Sequence, residues 1–183
     1  MKKLLAVTTT ALMLSGALYA DSNFYGKVAL GYEDANNITN SNYNIDAGTG
    51  VNTMMAIGYR YKDFAIEGEY SHSKVNYNNK NLNYKNDITV NSYIVNALYY
   101  IDLKSVVTPY LGVGIGTSAY DDGISTDNVR TYEGTAGIAI AMNKSLDITA
   151  EYKYRKFDVK GIGTNADPDT STNSYMLGLL YKF

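Results

Sequence analysis

Apolar and polar residues alternate with a period of two along most of this chain. The last ten residues are an example, with the apolar parity held by Tyr175, Leu177, Leu179, Tyr181 and Phe183. Such alternation predicts a β-strand. In soluble domains the chain ends usually fray in water. A terminal strand with three aromatic residues on its apolar face therefore favours a strand that faces a membrane.

The same period predicts seven further strands. They cover residues 24–33, 51–61, 64–73, 89–101, 107–118, 132–142 and 146–157. Tight turns at 62–63, 102–105 and 143–145 alternate with long polar connections at 34–50, 74–87, 119–130 and 158–173. An even number of strands, joined alternately by short turns and long loops, is typical of bacterial outer-membrane barrels. The predicted fold class is all-β, an up-and-down, eight-stranded antiparallel transmembrane β-barrel.

The N-terminal 20 residues predict a cleavable signal peptide. Lys2 and Lys3 precede an apolar stretch at residues 4–14, and Ala20 stands before Asp21. The apolar stretch is too short to span a bilayer and fits the hydrophobic region of a secretory signal. We therefore expect a signal peptide at residues 1–20 and one barrel domain at residues 21–183.

Composition narrows the choice of membrane structure. Removal of Lys2 and Lys3 leaves 14 Lys and Arg against 18 Asp and Glu, a net charge of −4, which does not favour nucleic acid as a partner. The chain has no cysteine, so no disulfide framework is available. It has 19 Tyr and no Trp, and tyrosine suits a membrane interface. After the signal peptide no apolar run reaches the roughly 18 to 20 residues of a transmembrane helix, so a closed barrel is expected to span the membrane.

Three segments resemble the small outer-membrane β-barrel proteins of the OmpA and opacity-protein type. They are residues 109–116 (PYLGVGIG), residues 96–100 (NALYY) and the terminal residues 181–183 (YKF). The resemblance covers essentially all of the chain after the signal peptide. It implies a bacterial outer-membrane location with both termini periplasmic. It also implies that Tyr181 and Phe183 form the signal that the barrel-assembly machinery reads during insertion.

Charged residues on the inward parity form the main candidate site. They are Arg60, Glu67, Glu69, Glu151, Lys153 and Arg155. An eight-stranded barrel is only wide enough for side chains, so these charges are expected to pair inside it. One interpretation is a structural plug of ion pairs. The other is a gate whose rearrangement opens a narrow ion path.

Catalytic, cofactor and metal sites are not predicted. His72 is the only histidine, and its neighbours Ser71 and Ser73 point to the opposite face of a strand, so neither is placed for His72 to act as its base. The glycine-rich residues 112–116 lie within a strand and lack the helix that a phosphate loop needs. A lipid A-modifying enzyme is therefore the weakest of the functional hypotheses.

The leading functional hypothesis is a non-enzymatic envelope component whose surface loops contact the surroundings. The long connections are rich in Asn, Ser, Thr and Gly, and they include Tyr43, Tyr77, Tyr84 and Tyr120. Loops on a rigid scaffold often carry function. A narrow porin-like channel gated by the interior charges is the alternative. Expected partners are outer-membrane lipids and lipopolysaccharide, the assembly machinery and an extracellular ligand, and the protein is expected to be a monomer.

Overall fold

A computed structural model describes residues 23–35, 38–40, 43–45, 48–79, 84–121, 126–158 and 170–183. The predicted signal peptide lies outside these residues. Ten strands are present: β1 (Phe24–Ala35), β2 (Ile38–Asn40), β3 (Tyr43–Ile45), β4 (Thr49–Tyr61), β5 (Phe64–Asn79), β6 (Tyr84–Tyr100), β7 (Val107–Asp121), β8 (Thr126–Ala141), β9 (Leu146–Asp158) and β10 (Thr170–Lys182). No helix in the described part of the chain is long and apolar enough to cross a membrane.

Eight of the strands form a closed antiparallel barrel, as the sequence predicts. Neighbours in the chain pair from β4 through β10, and β1 closes the barrel by pairing with both β10 and β4. Strands β2 and β3 form a separate hairpin with three paired positions. This hairpin lies within the connection 34–50, where the sequence predicted a polar loop. Closure leaves the barrel without an exposed sheet edge, which a membrane requires.

The strands extend further on the long-loop side than the sequence predicted. The β5–β6 ladder continues to the pair Asn79↔Tyr84, and the β7–β8 ladder continues to Asp121↔Thr126. Most of the predicted loops 74–87 and 119–130 is therefore strand, and those boundaries were wrong. The hydrogen bonds between paired strands join backbone groups, so a strand can continue without an apolar face. The alternating hydropathy pattern therefore shows where the membrane-facing part of a strand ends, and not where the strand itself ends.

The two faces of each strand match the predicted parity. Leu177 of β10 is 68% exposed, whereas its neighbour Met176 is 2% exposed. Tyr175 and Tyr181 also face outward, at 58% and 43% exposed. The alternation in β6 is the least clear in the sequence, and there the structure places Tyr100 inside the barrel, 1% exposed. Apolar side chains thus cover the outside of the barrel, and the inside is largely polar.

The interior near the end where the tight turns lie is packed with apolar side chains. A cluster of buried apolar residues fills it: Tyr25, Ala65, Leu98, Tyr100, Tyr110, Ala139 and Leu180. The inward positions of β7 are Gly112, Gly114 and Gly116. β6 packs so closely against them that there is no room for a side chain. A Cβ atom at Gly112 would collide with the Leu98 side chain, and one at Gly116 would collide with the backbone carbonyl of Tyr93.

The C-terminal residue is attached to the first strand. The backbone N–H of Phe183 donates to the carbonyl of Phe24 at 3.0 Å, and its ring lies against Gly26. The Tyr181 and Phe183 rings meet edge to face with centroids 5.6 Å apart. These contacts fix both residues at the seam where the barrel closes. Their role as an assembly signal stays a prediction.

Candidate functional site

Charged side chains from four strands meet in the barrel interior, and we call them the interior charge network. All are at most 4% exposed: Lys27 and Glu33 of β1, Glu67 and Glu69 of β5, Glu133 of β8, and Glu151, Lys153 and Arg155 of β9. Residues two positions apart on a strand share a face. A strand can therefore stack several charges along the barrel axis, as β9 does with three.

Arg155 is the centre of the half of the network that lies nearer the long loops. Its Nε donates to Glu133 Oε2 at 2.6 Å, and its Nη2 donates to Glu69 Oε1 at 2.6 Å. Lys153 Nζ donates to the other oxygens of the same two carboxylates, at 2.6 Å to Glu69 and 2.8 Å to Glu133. Two cations therefore bridge two carboxylates from different strands, which ties β5, β8 and β9 together across the interior.

Glu33 is held mainly by neutral donors. Asn52 Nδ2 donates to its Oε2 at 2.6 Å, Ser174 Oγ to Oε2 at 3.0 Å, and Ser73 Oγ to Oε1 at 3.1 Å. The nearest cation is Arg155, whose Nη1 lies 4.0 Å away. Three hydrogen bonds from neutral side chains therefore hold the Glu33 carboxyl group in place.

The half of the network nearer the tight turns is built on one lysine. Lys27 Nζ lies 2.7 Å from Glu151 Oε1 and 3.0 Å from Glu67 Oε1. The Tyr110 hydroxyl donates to Glu151 Oε1 at 2.5 Å, and the Tyr25 hydroxyl donates to Glu67 Oε2 at 2.9 Å. Lys153 Nζ lies 3.7 Å from Glu151 Oε2 and connects the two halves.

Arg60 lies apart from the other predicted site residues. Its Nε donates to the carbonyl of Lys62 at 3.0 Å, and its guanidinium lies 3.9 Å over the Tyr100 ring. It stands near the end of β4, where a cavity of about 360 Å³ opens at the turn side. Lys182 lines the same cavity and pairs with Asp147 at 2.7 Å. The alternation of side chains predicts which face of the strand a residue is on, but it does not predict how far along the barrel axis the residue lies. Arg60 faces inward as predicted, but it lies at the rim.

The other five predicted residues come together in the network. Sequence reasoning missed Lys27, Glu33 and Glu133 as members, although the parity rule places all three on inward faces. It also missed Tyr25 and Tyr110, whose hydroxyls bond the two glutamates beside Lys27. The signal was available for the charged residues. Parity places Tyr25 with Lys27 and Tyr110 with Gly112 on inward faces, but it does not show that their hydroxyls reach the glutamates.

His72 faces outward, away from both neighbouring serines. Its Nδ1 lies 2.9 Å from Asn91 Oδ1, which also accepts a hydrogen bond from the Tyr70 hydroxyl at 2.9 Å. Ser71 and Ser73 are 1% and 2% exposed on the inner face. The opposite orientation that the strand period predicts is confirmed. A hydroxyl on the inside cannot transfer its proton to an imidazole on the outside, so these residues do not form a nucleophile–base pair.

Residues 4–183 match the protein family described as outer membrane protein beta-barrel domain. The chain belongs to this family. As a member of the outer membrane protein beta-barrel family it lies in the bacterial outer membrane. The resemblance to small eight-stranded outer-membrane barrels is confirmed.

Several known outer-membrane proteins are similar to this family member. "Outer membrane protein PagN" of Salmonella typhimurium is 26% identical over 127 residues, which are 56% of this chain and 53% of that protein. The matched region is thus about half the length of that relative. Neisserial surface protein A has a TM-score of 0.67 at 23% identity and covers 88% of this chain and 98% of its own. OprG of Pseudomonas aeruginosa has a TM-score of 0.57 at 15% identity and covers 88% and 97%. Both structures share the fold.

Proposed function

We propose that this protein is a sealed, non-enzymatic outer-membrane barrel that serves the envelope by holding surface loops outside the cell. The observation that carries this proposal is the interior charge network. Its members come from β1, β5, β8 and β9 and bond one another across the interior. Such bonds hold the strands together and occupy the space that a pore would need.

The chemistry of the network favours a plug over a gate. Opening an ion path would separate Arg155 from Glu69 and Glu133 in a space where each is at most 4% exposed. When a buried ion pair loses one partner, the cost is about 3–5 kcal/mol, because the charge of the other partner is left uncompensated. Several such pairs would have to separate together. A closed interior is therefore the favoured state.

A surface role is supported by the long-loop end of the barrel. The β5–β6 and β7–β8 ladders continue well beyond the apolar outer band, so they carry their connections away from the membrane. Of the four tyrosines singled out there, Tyr120 packs edge to face on Phe157, with ring centroids 5.3 Å apart. The side chains of Tyr43, Tyr77 and Tyr84 lie outside the described residues. The similar Neisserial protein is named a surface protein, which agrees with this proposal.

We expect the purified barrel to show little or no conductance in a planar lipid bilayer. The reason is that the charge network closes its interior. The measurement is single-channel current across a voltage range, with insertion verified by the heat-dependent gel mobility of a folded barrel. Discrete current steps that change size in Glu69→Gln would contradict a sealed barrel and would favour the channel alternative.

We expect shortening of the loop tips to weaken attachment while the barrel stays folded. The change replaces residues 36–47, 80–83, 122–125 and 159–169 with short Gly-Ser links. The measurement is adherence of bacteria carrying each variant to matrix-coated surfaces and cultured host cells. A matched control replaces Asp102 and Lys104 in a tight turn at the periplasmic end and should leave adherence unchanged. Adherence that survives all four replacements would sink the surface-interaction proposal.

A further inference from the structure

The lipid-facing surface of the barrel has a depression between β7 and β10, which we call the β8 depression. Its volume is about 740 Å³. Ala136 of β8 and Ala150 of β9 form its floor, and its walls include Leu111, Tyr152 and Leu177. Most outward positions of the barrel carry large apolar side chains. The two alanines leave a gap among them, so an apolar group from the surroundings can lie against the barrel wall here.

The β8 depression continues along β8 toward the long-loop end. Gly134 is the next outward position after Ala136, and a Cβ atom at Gly134 would meet no other atom within 4 Å. The ladder partners of Gly134 are Val113 on β7 and Tyr154 on β9. A strip of open surface therefore runs between these larger neighbours, from the depression toward the end of the barrel that carries the long connections.

Aromatic residues mark the membrane boundary at this end of the strip. Tyr132 of β8 and Tyr154 of β9 are both exposed on the outer face. Tyrosine is enriched where a membrane meets water. Ala136 is four residues from Tyr132, roughly 13 Å along a strand that rises about 3.3 Å per residue. The floor of the depression thus lies well inside a hydrocarbon core about 30 Å thick.

Two cations stand immediately beyond these tyrosines. Arg130 of β8 and Lys156 of β9 are exposed on the outer face. In the β8–β9 ladder Tyr132 is paired with Lys156. Arg130 is two residues further along β8, so Arg130 and Lys156 are diagonal neighbours whose backbones are on the order of 7–8 Å apart. Both long side chains can therefore reach one group at the height of the lipid headgroups.

The charge around this pair is positive on balance. Asp158 is the ladder partner of Arg130 and lies two residues beyond Lys156, on the side away from the tyrosines. Two cations and one acid give a net charge of 2 − 1 = +1. Asp34 of β1 and Lys74 of β5 are also exposed at the long-loop end, but neither strand lines the depression. The β8–β9 surface therefore attracts an anion directly above an apolar depression.

A lipid with a phosphate monoester has both features that this surface matches. A phosphate monoester carries a charge of about −1.5 to −2 at pH 7 and has three acceptor oxygens, so it can accept hydrogen bonds from two cations. A phosphodiester has a single negative charge and is a weaker partner for them. The guanidinium of arginine is well suited to phosphate because its donors form a planar fork. An acyl chain of the same lipid would fill the apolar space below.

We propose that the outer face of β8 and β9 binds a phosphorylated, multiply acylated glycolipid of the outer leaflet, the lipid A part of lipopolysaccharide. A phosphate monoester accepts hydrogen bonds from Arg130 and Lys156, and one acyl chain fills the β8 depression. This proposal rests on the proposed function, in which the long connections lie outside the cell. In that orientation the two cations lie at the headgroups of the outer leaflet.

Native mass spectrometry of the full barrel in a non-ionic detergent, titrated with lipid A, tests the phosphate contact. We expect one tightly bound lipid A, and weaker binding of dephosphorylated lipid A and of phosphatidylglycerol, which is a phosphodiester. Arg130→Gln and Lys156→Gln should each weaken lipid A binding by about tenfold, the usual effect of losing one hydrogen bond to a charged group. Lys74→Gln is the matched control and should bind lipid A like the unsubstituted barrel.

Two results of this titration would overturn the proposal. Phosphatidylglycerol that binds as tightly as lipid A would show general attraction of anionic lipids. An equal loss of affinity in Lys74→Gln and Arg130→Gln would show that the position of the cation does not matter. In vesicles without lipid A, Arg130→Gln and Lys156→Gln should unfold in urea like the unsubstituted barrel, so that a loss of binding is not a loss of folding.

Filling the β8 depression tests the acyl-chain contact. Ala136→Leu places a larger side chain on its floor and should weaken the binding of lipid A with and without phosphate. Ala97→Leu is the matched control, because Ala97 is an exposed alanine on β6 outside the depression, and it should leave binding unchanged. Unchanged binding in Ala136→Leu would overturn the proposal. So would a dimer that Ala136→Leu abolishes, since a second copy of the barrel would then cover the depression.

Failure of this site and failure of the proposed function give different results. A barrel that binds lipid A no better than phosphatidylglycerol, but shows little conductance and loop-dependent adherence, would reject the lipid site alone. A barrel that binds lipid A selectively, but conducts ions or adheres without its loop tips, would reject the proposed function alone.

Discussion

Substitution of Arg155 by methionine should destabilise the folded barrel by about 3–5 kcal/mol, the usual cost of removing one partner of a buried ion pair. The guanidinium is 2% exposed and bonds Glu69, Glu133 and Ser71. Methionine fills much of the same volume but supplies no charge and no donor. Among the described residues Lys153 would then be the only cation in direct contact with Glu69 and Glu133, so one lysine would have to compensate two buried carboxylates.

The measurement is equilibrium unfolding in urea in lipid vesicles, followed by tyrosine fluorescence. Arg130→Met is the matched control, because Arg130 is exposed on the outer face of β8 and takes no part in the network. It should unfold almost like the unsubstituted barrel. A loss in the Arg155 variant no larger than in the control would mean that the interior ion pairs contribute little to stability, which would also weaken the case for a plug.

Substitution of Gly116 by alanine should also destabilise the barrel strongly. A Cβ atom at this position would collide with the carbonyl oxygen of Tyr93 and with the Cα of Ile94, both of them backbone atoms of β6. Backbone cannot rotate away as a flexible side chain can, so the β6–β7 pair would have to separate locally. Overpacking of this kind costs typically about 1–3 kcal/mol, occasionally more.

Gly134→Ala is the control that separates the effect of a steric collision from the effect of replacing a strand glycine by alanine. Gly134 is paired with Val113 in the neighbouring β7–β8 ladder, and a Cβ atom there would meet nothing within 4 Å. Alanine should therefore be tolerated or slightly favourable, because it lowers the entropy of the unfolded chain. Both variants are compared by the same urea unfolding. Equal stability of Gly116→Ala and Gly134→Ala would show that β6 and β7 are less closely packed than the structure places them.

The Arg155 and Gly116 predictions both follow from one difference between this barrel and a soluble protein. Here the apolar residues face lipid, and polar residues fill the space between the strands. Close packing on the inside is then a matter of matching hydrogen bonds and charges as well as volumes. Arg155 and Gly116 represent the two requirements, since one supplies charge and donors to the interior and the other leaves room for its neighbour strand.

The sequence by itself determined the fold class and the faces of the strands. Side chains alternate with a period of two, so lipid selects one parity and the interior the other. That is why Leu177 and Met176 could be assigned to opposite faces, and why Glu67, Glu69, Glu151, Lys153 and Arg155 could be placed inside. The eight-strand count followed from the alternation of short and long connections.

Only the tertiary structure decided depth, register and partners. Arg60 and Glu67 are both predicted to face inward, yet Arg60 lies at the rim and Glu67 in the interior. The stagger of each strand against its neighbours sets how far along the barrel axis a residue lies. Glu133 and Glu33 joined the network for the same reason. The β2–β3 hairpin and the long β5–β6 ladder were missed because backbone pairing continues where the hydropathy pattern fades. Partners depend on cross-strand geometry, which a one-dimensional period does not contain.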